Sequence, residues 1–483
     1  MTVRVLAVAS EAYPLVKTGG LADVVGALPR ALAGEGIDMR TLVPGFRDAM
    51  AMLGERSAVR RFPMLHGGPA RLLTANVAGM HMFVLDAPHL FDRLGNPYVG
   101  PDGKPWADNA QRFAALAQAA VSIARDGVGD FAPDIVHAHD WQAGLVPAYL
   151  HFMSTPRPRS VMTIHNLAFQ GLFPSSVFPT LGLPDDAFTI DGVEYYGDVS
   201  YLKAGIAFGD AVTTVSPTYA AEIRGPEGGM GLDGLLRKRS DVLQGIRNGI
   251  DDTVWDPSRD PHLDARYDVE TLEVRRINKT SLQRRLGLDV DPDALLFVVI
   301  SRLTAQKGSD LVLDALQSLL RRGGQLAVLG TGDAELEERF EGAADAHRGR
   351  VAVEIGFDET LAHQMQGGGD ALLMPSRFEP CGLTQLIALR YGVMPVVARV
   401  GGLADTVVDA NEMALAAGAG TGVQFAPVEH EMLEWAIERT CNLWRDRALW
   451  QALQRRGMRS DVSWLGPAHA YAALFRSLLS VDH

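Results

Sequence analysis

Three short stretches place charged side chains beside glycines where helices would begin. Lys17, Thr18, Gly19 and Gly20 follow the apolar run TVRVLAVAS and precede LADVVGALPRALA. Glycine admits close backbone approach, a helix start offers unpaired N–H groups and a positive dipole end, and lysine adds a full charge. The set suits an anion; the alternative is a tight turn, since its spacing is not that of a P-loop. A second loop, RLTAQKGS, follows ALLFVVIS and carries Arg302 and Lys307, with Ser309 as the expected N-cap of the next helix. The chain has only six lysines, at 17, 104, 203, 238, 279 and 307, and two of them fall in these loops. Paired cations at one strand end suggest a diphosphate clamp. The third, SRFEPCGLTQL, sets Pro380 in an expected first helical turn and leaves the N–H groups of Gly382, Leu383 and Thr384 for phosphate or sugar oxygens. Glu379 stands just before them, as a ligand contact or as a partner of the helix dipole.

HAHDWQ and TIHNLAFQG end two further apolar runs. His137, His139 and Asp140 lack the additional histidine and aspartate of a metallohydrolase, so no metal is expected. Asp140 can equally cap a helix starting at Trp141. His165 and Asn166 offer hydrogen bonds to a polyhydroxylated ligand, with Trp141 and Phe169 packing beside them, or His165 is a satisfied core residue. DVDPD, residues 289–293, precedes its apolar run and reads as a turn rather than a metal motif.

The elements that must hold these residues are short β-branched runs alternating with amphipathic stretches. RVLAVAS, HMFVLDA, DIVHAH, SVMTIHN and AVTTVSP lie in the first half, and ALLFVVIS, QLAVLG, VAVEIG, ALLMPS and MPVVA in the second. Runs polar on neither side suit parallel strands covered on both faces. Alternation with helices such as ADNAQRFAALAQAAVSIA then argues for two doubly wound α/β sheets. IRNGIDDTVWDPSRDPH, residues 246–262, breaks the alternation and is the expected hinge. Residues 1–245 form the expected first lobe, 246–456 the second, and 457–483 a C-terminal helix packing back towards the first. In such sheets ligands gather at the carboxyl ends of the strands, where the charged loops fall.

Composition narrows the partners. The chain has 483 residues, 47% of them hydrophobic, and a formal net charge of −13. It has ample material for packed cores, and its charge repels nucleic acid and anionic lipid, so a phosphate must be met by local cations. Two distant cysteines, Cys381 and Cys441, suggest neither disulfides nor zinc and point to a reducing compartment. No apolar run approaches bilayer-spanning length, and the opening residues read as a strand rather than a leader. The expected location is the cytoplasm.

Together, KTGGLADVVGALP, HAHDWQAGL, TIHNLAFQG, RNGID, SRLTAQKG, GTGD, RFEPCGLTQL and GGLADTV resemble the bacterial glycogen synthase and plant starch synthase family, in the family's order and over nearly the whole chain. The resemblance implies a retaining glucosyltransferase of GT-B architecture, two Rossmann-like lobes facing each other across a cleft that closes on its substrates. It implies ADP-glucose as donor, ADP as product, an α-1,4-glucan such as glycogen as acceptor, and no cofactor. By position, Lys17, Gly19 and Gly20 would contact the donor diphosphate or sugar, and Arg302 and Lys307 the two phosphates. Glu379 and the backbone from Cys381 through Gly382 and Leu383 to Thr384 would hold the transferred glucose. His165 would bond the glucose 6-hydroxyl with Asp140 and Asn248 nearby, Phe357 would lie against the adenine, and Tyr98 would touch the glucan. A UDP-glucose-using transferase, a UDP-sugar 2-epimerase and a non-catalytic glucan-binding protein are the alternatives; KTGGLAD, EPCGLTQL and the presence of Lys17, Lys307 and Glu379 weigh against the last two.

GGLAD occurs twice, at 19–23 and at 401–405. The second copy lacks an adjacent lysine and is expected chiefly to let its helix approach a strand closely.

Overall fold

The apolar runs become the strands of two parallel sheets in a computed structural model that describes residues 2–153 and 156–480. The chain divides into two units, Met1–Asn248 with Trp464–His483, and Gly249–Ser463.

The first unit contains β1 (Val3–Val8), β2 (Ile37–Pro44), β3 (Arg56–Leu65), β4 (Gly68–Val77), β5 (Met80–Asp86), β6 (Ile135–His139) and β7 (Arg159–Ile164). After these come β8 (Leu172–Phe173), β9 (Glu194–Tyr195), β10 (Asp198–Ser200), β11 (Ala211–Thr214) and β12 (Leu243–Gly245). The main sheet runs β12-β11-β7-β6-β1-β2-β5-β4-β3, and β8-β10-β9 form a small separate sheet. Every main-sheet pair is parallel except β5–β4 and β4–β3. That edge hairpin escapes a search for apolar runs because β3 is largely exposed and carries Arg56, Arg60 and Arg61. The strand order turns at β1, with β2 on one side and β6 on the other, so the loops after β1 and β6 part there.

Helix Gly20–Ala33 buries Val24, Leu28 and Leu32 in one cluster with Tyr471 and Phe475 of helix Leu465–Ser480. Each large side chain covered this way contributes roughly 1.5–3 kcal/mol. The last helix therefore belongs to the unit that begins the chain.

The second unit holds β13 (Leu296–Ile300), β14 (Gln325–Gly330), β15 (Val351–Ile355), β16 (Ala371–Met374), β17 (Met394–Ala398) and β18 (Val423–Phe425). Their order is β15-β14-β13-β16-β17-β18, all parallel, which is the doubly wound dinucleotide-fold order. Here the order turns at β13, between β14 and β16. The loops after β13 and β16 meet because residue 308 is glycine: φ is +69°, and an added Cβ would lie 2.1 Å from the Pro375 carbonyl oxygen.

Two local expectations change. Gly308, in its left-handed conformation, caps helix Ser309–Arg321, so Ser309 is the first helical residue rather than the N-cap. The helix after β16 starts at Thr384, not near Pro380, because Gly382 at φ +70° interrupts right-handed geometry.

Candidate functional site

In the first unit the KTGG loop is fastened from beneath. Glu11, 3% exposed, accepts from the Thr18 N–H at 2.5 Å and from the Thr18 hydroxyl at 2.6 Å. It also accepts from the Tyr98 hydroxyl, which lies 2.8 Å from the Ser10 hydroxyl. Tyr98 is half-buried against Phe113 and Trp141, so its hydroxyl is committed to Glu11 rather than directed outward. Lys17 pairs with Asp23 of the following helix at 3.0 Å. Both side chains keep some exposure, and such a pair is worth about 0–1 kcal/mol. Gly19 sits extended at φ −163° as the helix N-cap, and an added Cβ would meet nothing within 4 Å.

The loops after β6 and β7 are locked together. Asp140, 8% exposed and at φ +56°, accepts from the N–H groups of His165 at 2.7 Å and Asn166 at 3.4 Å. It therefore holds the neighbouring loop instead of capping the helix at Trp141. Burial raises its carboxyl to about 7, against the opposing pull of those two N–H groups. His139 Nδ1 lies 2.9 Å from His165 Nε2, and His137 Nε2 2.6 Å from the Thr163 hydroxyl. Burial lowers His137 and His165 to about 3 and His139 well below its ordinary value, so all three rings are neutral near pH 7. Phe169 is half exposed beside them in sequence. Asn248 is buried and its Oδ1 has no hydrogen-bond partner among the described residues; it bonds to neither Asp140 nor His165.

The second unit assembles its residues at the turn of its strand order. Lys307, from the loop after β13, meets Glu379, from the loop after β16, at 2.5 Å. The Ser376 hydroxyl donates to the same carboxylate oxygen at 3.1 Å. Glu379 is 5% exposed, and a carboxylate so deep is retained only with partners of this kind. Arg302 is exposed in the same loop as Lys307, and its guanidinium bonds to no other described residue. The N–H groups of Gly382, Leu383 and Thr384 likewise donate to no described residue. Buried Cys381 and Gly382 present their carbonyls to the Gln385 side chain at 2.9 and 3.0 Å, which fixes the turn. Phe357 is 77% exposed just after β15. Asp289–Asp293 forms the turn expected of it, with Asp293 N–H on the Asp291 carboxylate at 2.8 Å.

The second GGLAD packs against this loop. Gly402 N–H donates to the Glu379 carbonyl at 3.0 Å, and an added Cβ would lie 2.2 Å from the Cys381 carbonyl oxygen. The close approach is thus to the 379–381 loop, not to a strand. Glu11, Ser376 and Gln385 escape sequence reasoning, since nothing local distinguishes them; a glutamate three residues past an apolar strand is the only hint.

What this arrangement can do is take a doubly charged phosphate ester on Arg302 and Lys307, with backbone amides and a buried carboxylate beside it. Residues 4–238 match the family model described as starch synthase catalytic domain, and residues 282–455 the model described as glycosyl transferases group 1. A glycogen synthase of Rhodopseudomonas palustris strain BisB18 is 61% identical over 99% of this chain and 98% of its own length. One from Methylocella silvestris is 58% identical over 99% of both. Among solved structures, the catalytic domain of starch synthase IV from Arabidopsis thaliana, bound to ADP and acarbose, superposes with a TM-score of 0.88 at 30% identity, covering 99% of this chain and 100% of that one.

Proposed function

The chain belongs to the glycogen synthase family of glycosyltransferases, and we propose that it transfers glucose from ADP-glucose to the non-reducing end of an α-1,4-glucan, with retention of configuration and release of ADP. The observation that carries this reading is the cluster of Arg302, Lys307, Glu379 and the free 382–384 amides where the second sheet reverses its strand order. Breaking the bond between glucose C1 and the diphosphate leaves negative charge on the β-phosphate and an oxocarbenium-like sugar. Arg302 and Lys307 meet the first charge. Glu379 steadies the second, and the amides from Cys381 to Thr384 hold the glucose hydroxyls. The acceptor hydroxyl attacks on the face that ADP leaves, and its proton passes to the departing phosphate oxygen.

Lys17, with the exposed backbone at Gly19 and Gly20, contacts the donor diphosphate or sugar. His165, oriented by Asp140 and His139, bonds the glucose 6-hydroxyl; Asn248 supplies a further polar contact; and the exposed Phe357 ring stacks on the adenine. Tyr98 supports the KTGG loop through Glu11 as well as bordering the glucan. No helix among the described residues is long and apolar enough to cross a membrane; the proposed location is the cytoplasm, beside the polymer.

The test is transfer of labelled glucose to glycogen from ADP-glucose and from UDP-glucose, each at matched concentration. Incorporation from ADP-glucose by at least tenfold over UDP-glucose is expected; epimerisation of a UDP-sugar without glucan growth overturns the reading. Trapping a glucosylated Glu379 would overturn the front-face route alone.

A further inference from the structure

We infer that His139 is a positioning residue that fixes His165 in the tautomer bearing its proton on Nδ1, so that His165 donates its hydrogen bond to a sugar hydroxyl instead of accepting one. The inference rests on the reading of His165 as a sugar contact and adds to it the direction of the bond. His139 Nδ1 and His165 Nε2 stand 2.9 Å apart, close enough that one carries the shared proton and the other accepts it. His139 is fully buried, and its Nε2 has no partner among the described residues.

Two assignments exist for a pair of neutral rings. With the His139 proton on Nε2, a buried N–H is orphaned, and His165 must donate from Nε2, leaving its Nδ1 a bare acceptor. With the proton on Nδ1, His139 donates to His165 Nε2, and the orphan is only a lone pair. An unpaired buried N–H is the rarer state in folded proteins, while an unused acceptor lone pair is better tolerated, so the second assignment prevails. Desolvation keeps both rings neutral, so no doubly protonated ring blurs the choice. The His137 ring, 4.1 Å from that of His139 and backed by Phe475 at 5.7 Å, prevents His139 from turning away.

On the other side, His165 is partly exposed and its Nδ1 bonds to no described residue. That Nδ1–H is the group offered to the ligand. A hydroxyl accepting from it keeps its own proton for another partner, which a bare nitrogen would have claimed.

The direct test is nitrogen-15 NMR of the imidazoles in the full chain, with His165 assigned by the signal lost in His165→Asn. A pyrrole-type Nδ1 and a pyridine-type Nε2 are expected for His165; the reverse pattern overturns the inference. This readout needs no turnover, so it stands even if the chain transfers no glucose. Kinetics supply the second arm. In His139→Phe, kcat/KM should fall about tenfold for ADP-glucose, the worth of one misdirected hydrogen bond, and less than about twofold for the 6-deoxy donor, which has no hydroxyl to receive it. Equal losses with both donors would make His139 merely structural and overturn the assignment.

Discussion

Replacing Gly402 by alanine should damage the second unit, whereas replacing Gly19 should leave the first intact. A Cβ at 402 would lie 2.2 Å from the Cys381 carbonyl oxygen and 2.4 Å from its Cα, both backbone atoms. The 379–381 loop must then retreat by about 1 Å, and overpacking of this kind costs roughly 1–3 kcal/mol. For a unit of this size each kcal/mol lowers Tm by about 2–4 °C, so a fall of roughly 2–12 °C is expected. The same retreat carries Glu379 away from Lys307, and a misplacement near 1 Å costs about 10²-fold in turnover. At Gly19 the added methyl meets nothing within 4 Å and the backbone is extended. Stability should change by less than about 1 kcal/mol, yet on the proposed reading of Lys17, Gly19 and Gly20 as donor contacts the methyl enters the diphosphate's space, and donor KM should rise. Scanning calorimetry with steady-state kinetics at varied ADP-glucose reads both effects. Wild-type melting and turnover in Gly402→Ala would refute the close-approach reasoning, and lost stability with unchanged donor KM in Gly19→Ala would refute the open-backbone reasoning.

Glu11→Gln removes one of the oxygens that hold the Thr18 N–H, the Thr18 hydroxyl and the Tyr98 hydroxyl. Donor KM should rise about tenfold with a smaller change in Tm, by the worth of one or two buried hydrogen bonds; Thr18→Val should reproduce part of the effect, and unchanged kinetics in both would remove Glu11 from the account. Asp140, raised to about 7, gives a pH signature. Its folded pKa exceeds the unfolded one, so its contribution to stability is complete below about pH 4 and is lost as pH rises through about 7. Asp140→Asn should abolish that loss, gaining stability over wild type between about pH 5 and pH 8 in urea titrations; a parallel pH profile would contradict it. His137 and His165, lowered to about 3, act in the opposite sense: their contribution is present above about 6.5 and lost as pH falls towards 3. His137→Gln should therefore flatten the acid limb of the stability profile.

Much of the site was legible because its charged residues sit at the carboxyl ends of apolar strands, where an α/β sheet must expose its loops. Lys307 and Glu379 could be placed in such loops from sequence, but their 2.5 Å contact depends on β13 and β16 being neighbours, which only the strand order supplies. The two GGLAD copies make the same point. The two copies sit in different surroundings: Gly19, the first glycine of its copy, faces open space, whereas Gly402, the second glycine of its copy, faces a carbonyl contributed from residue 381. Glu11 was invisible because its partners lie 7 and 87 positions away. The β3–β4 hairpin was missed for its exposed arginines, and the helix at Thr384 was anticipated too early because proline's preference for a first turn lost to the left-handed Gly382.

The central claim is that cations in the loop after β13 neutralise the departing diphosphate. Its most direct test is glucosyl transfer from ADP-glucose to glycogen by the Arg302→Met/Lys307→Met variant, with ADP affinity measured alongside by calorimetry. Loss of a single preorganised charge donor commonly costs 10²–10³ in turnover, so the double variant should fall at least about 10²-fold and bind ADP more weakly while melting as a folded protein. Elongation of the glucan at an undiminished rate would contradict the account.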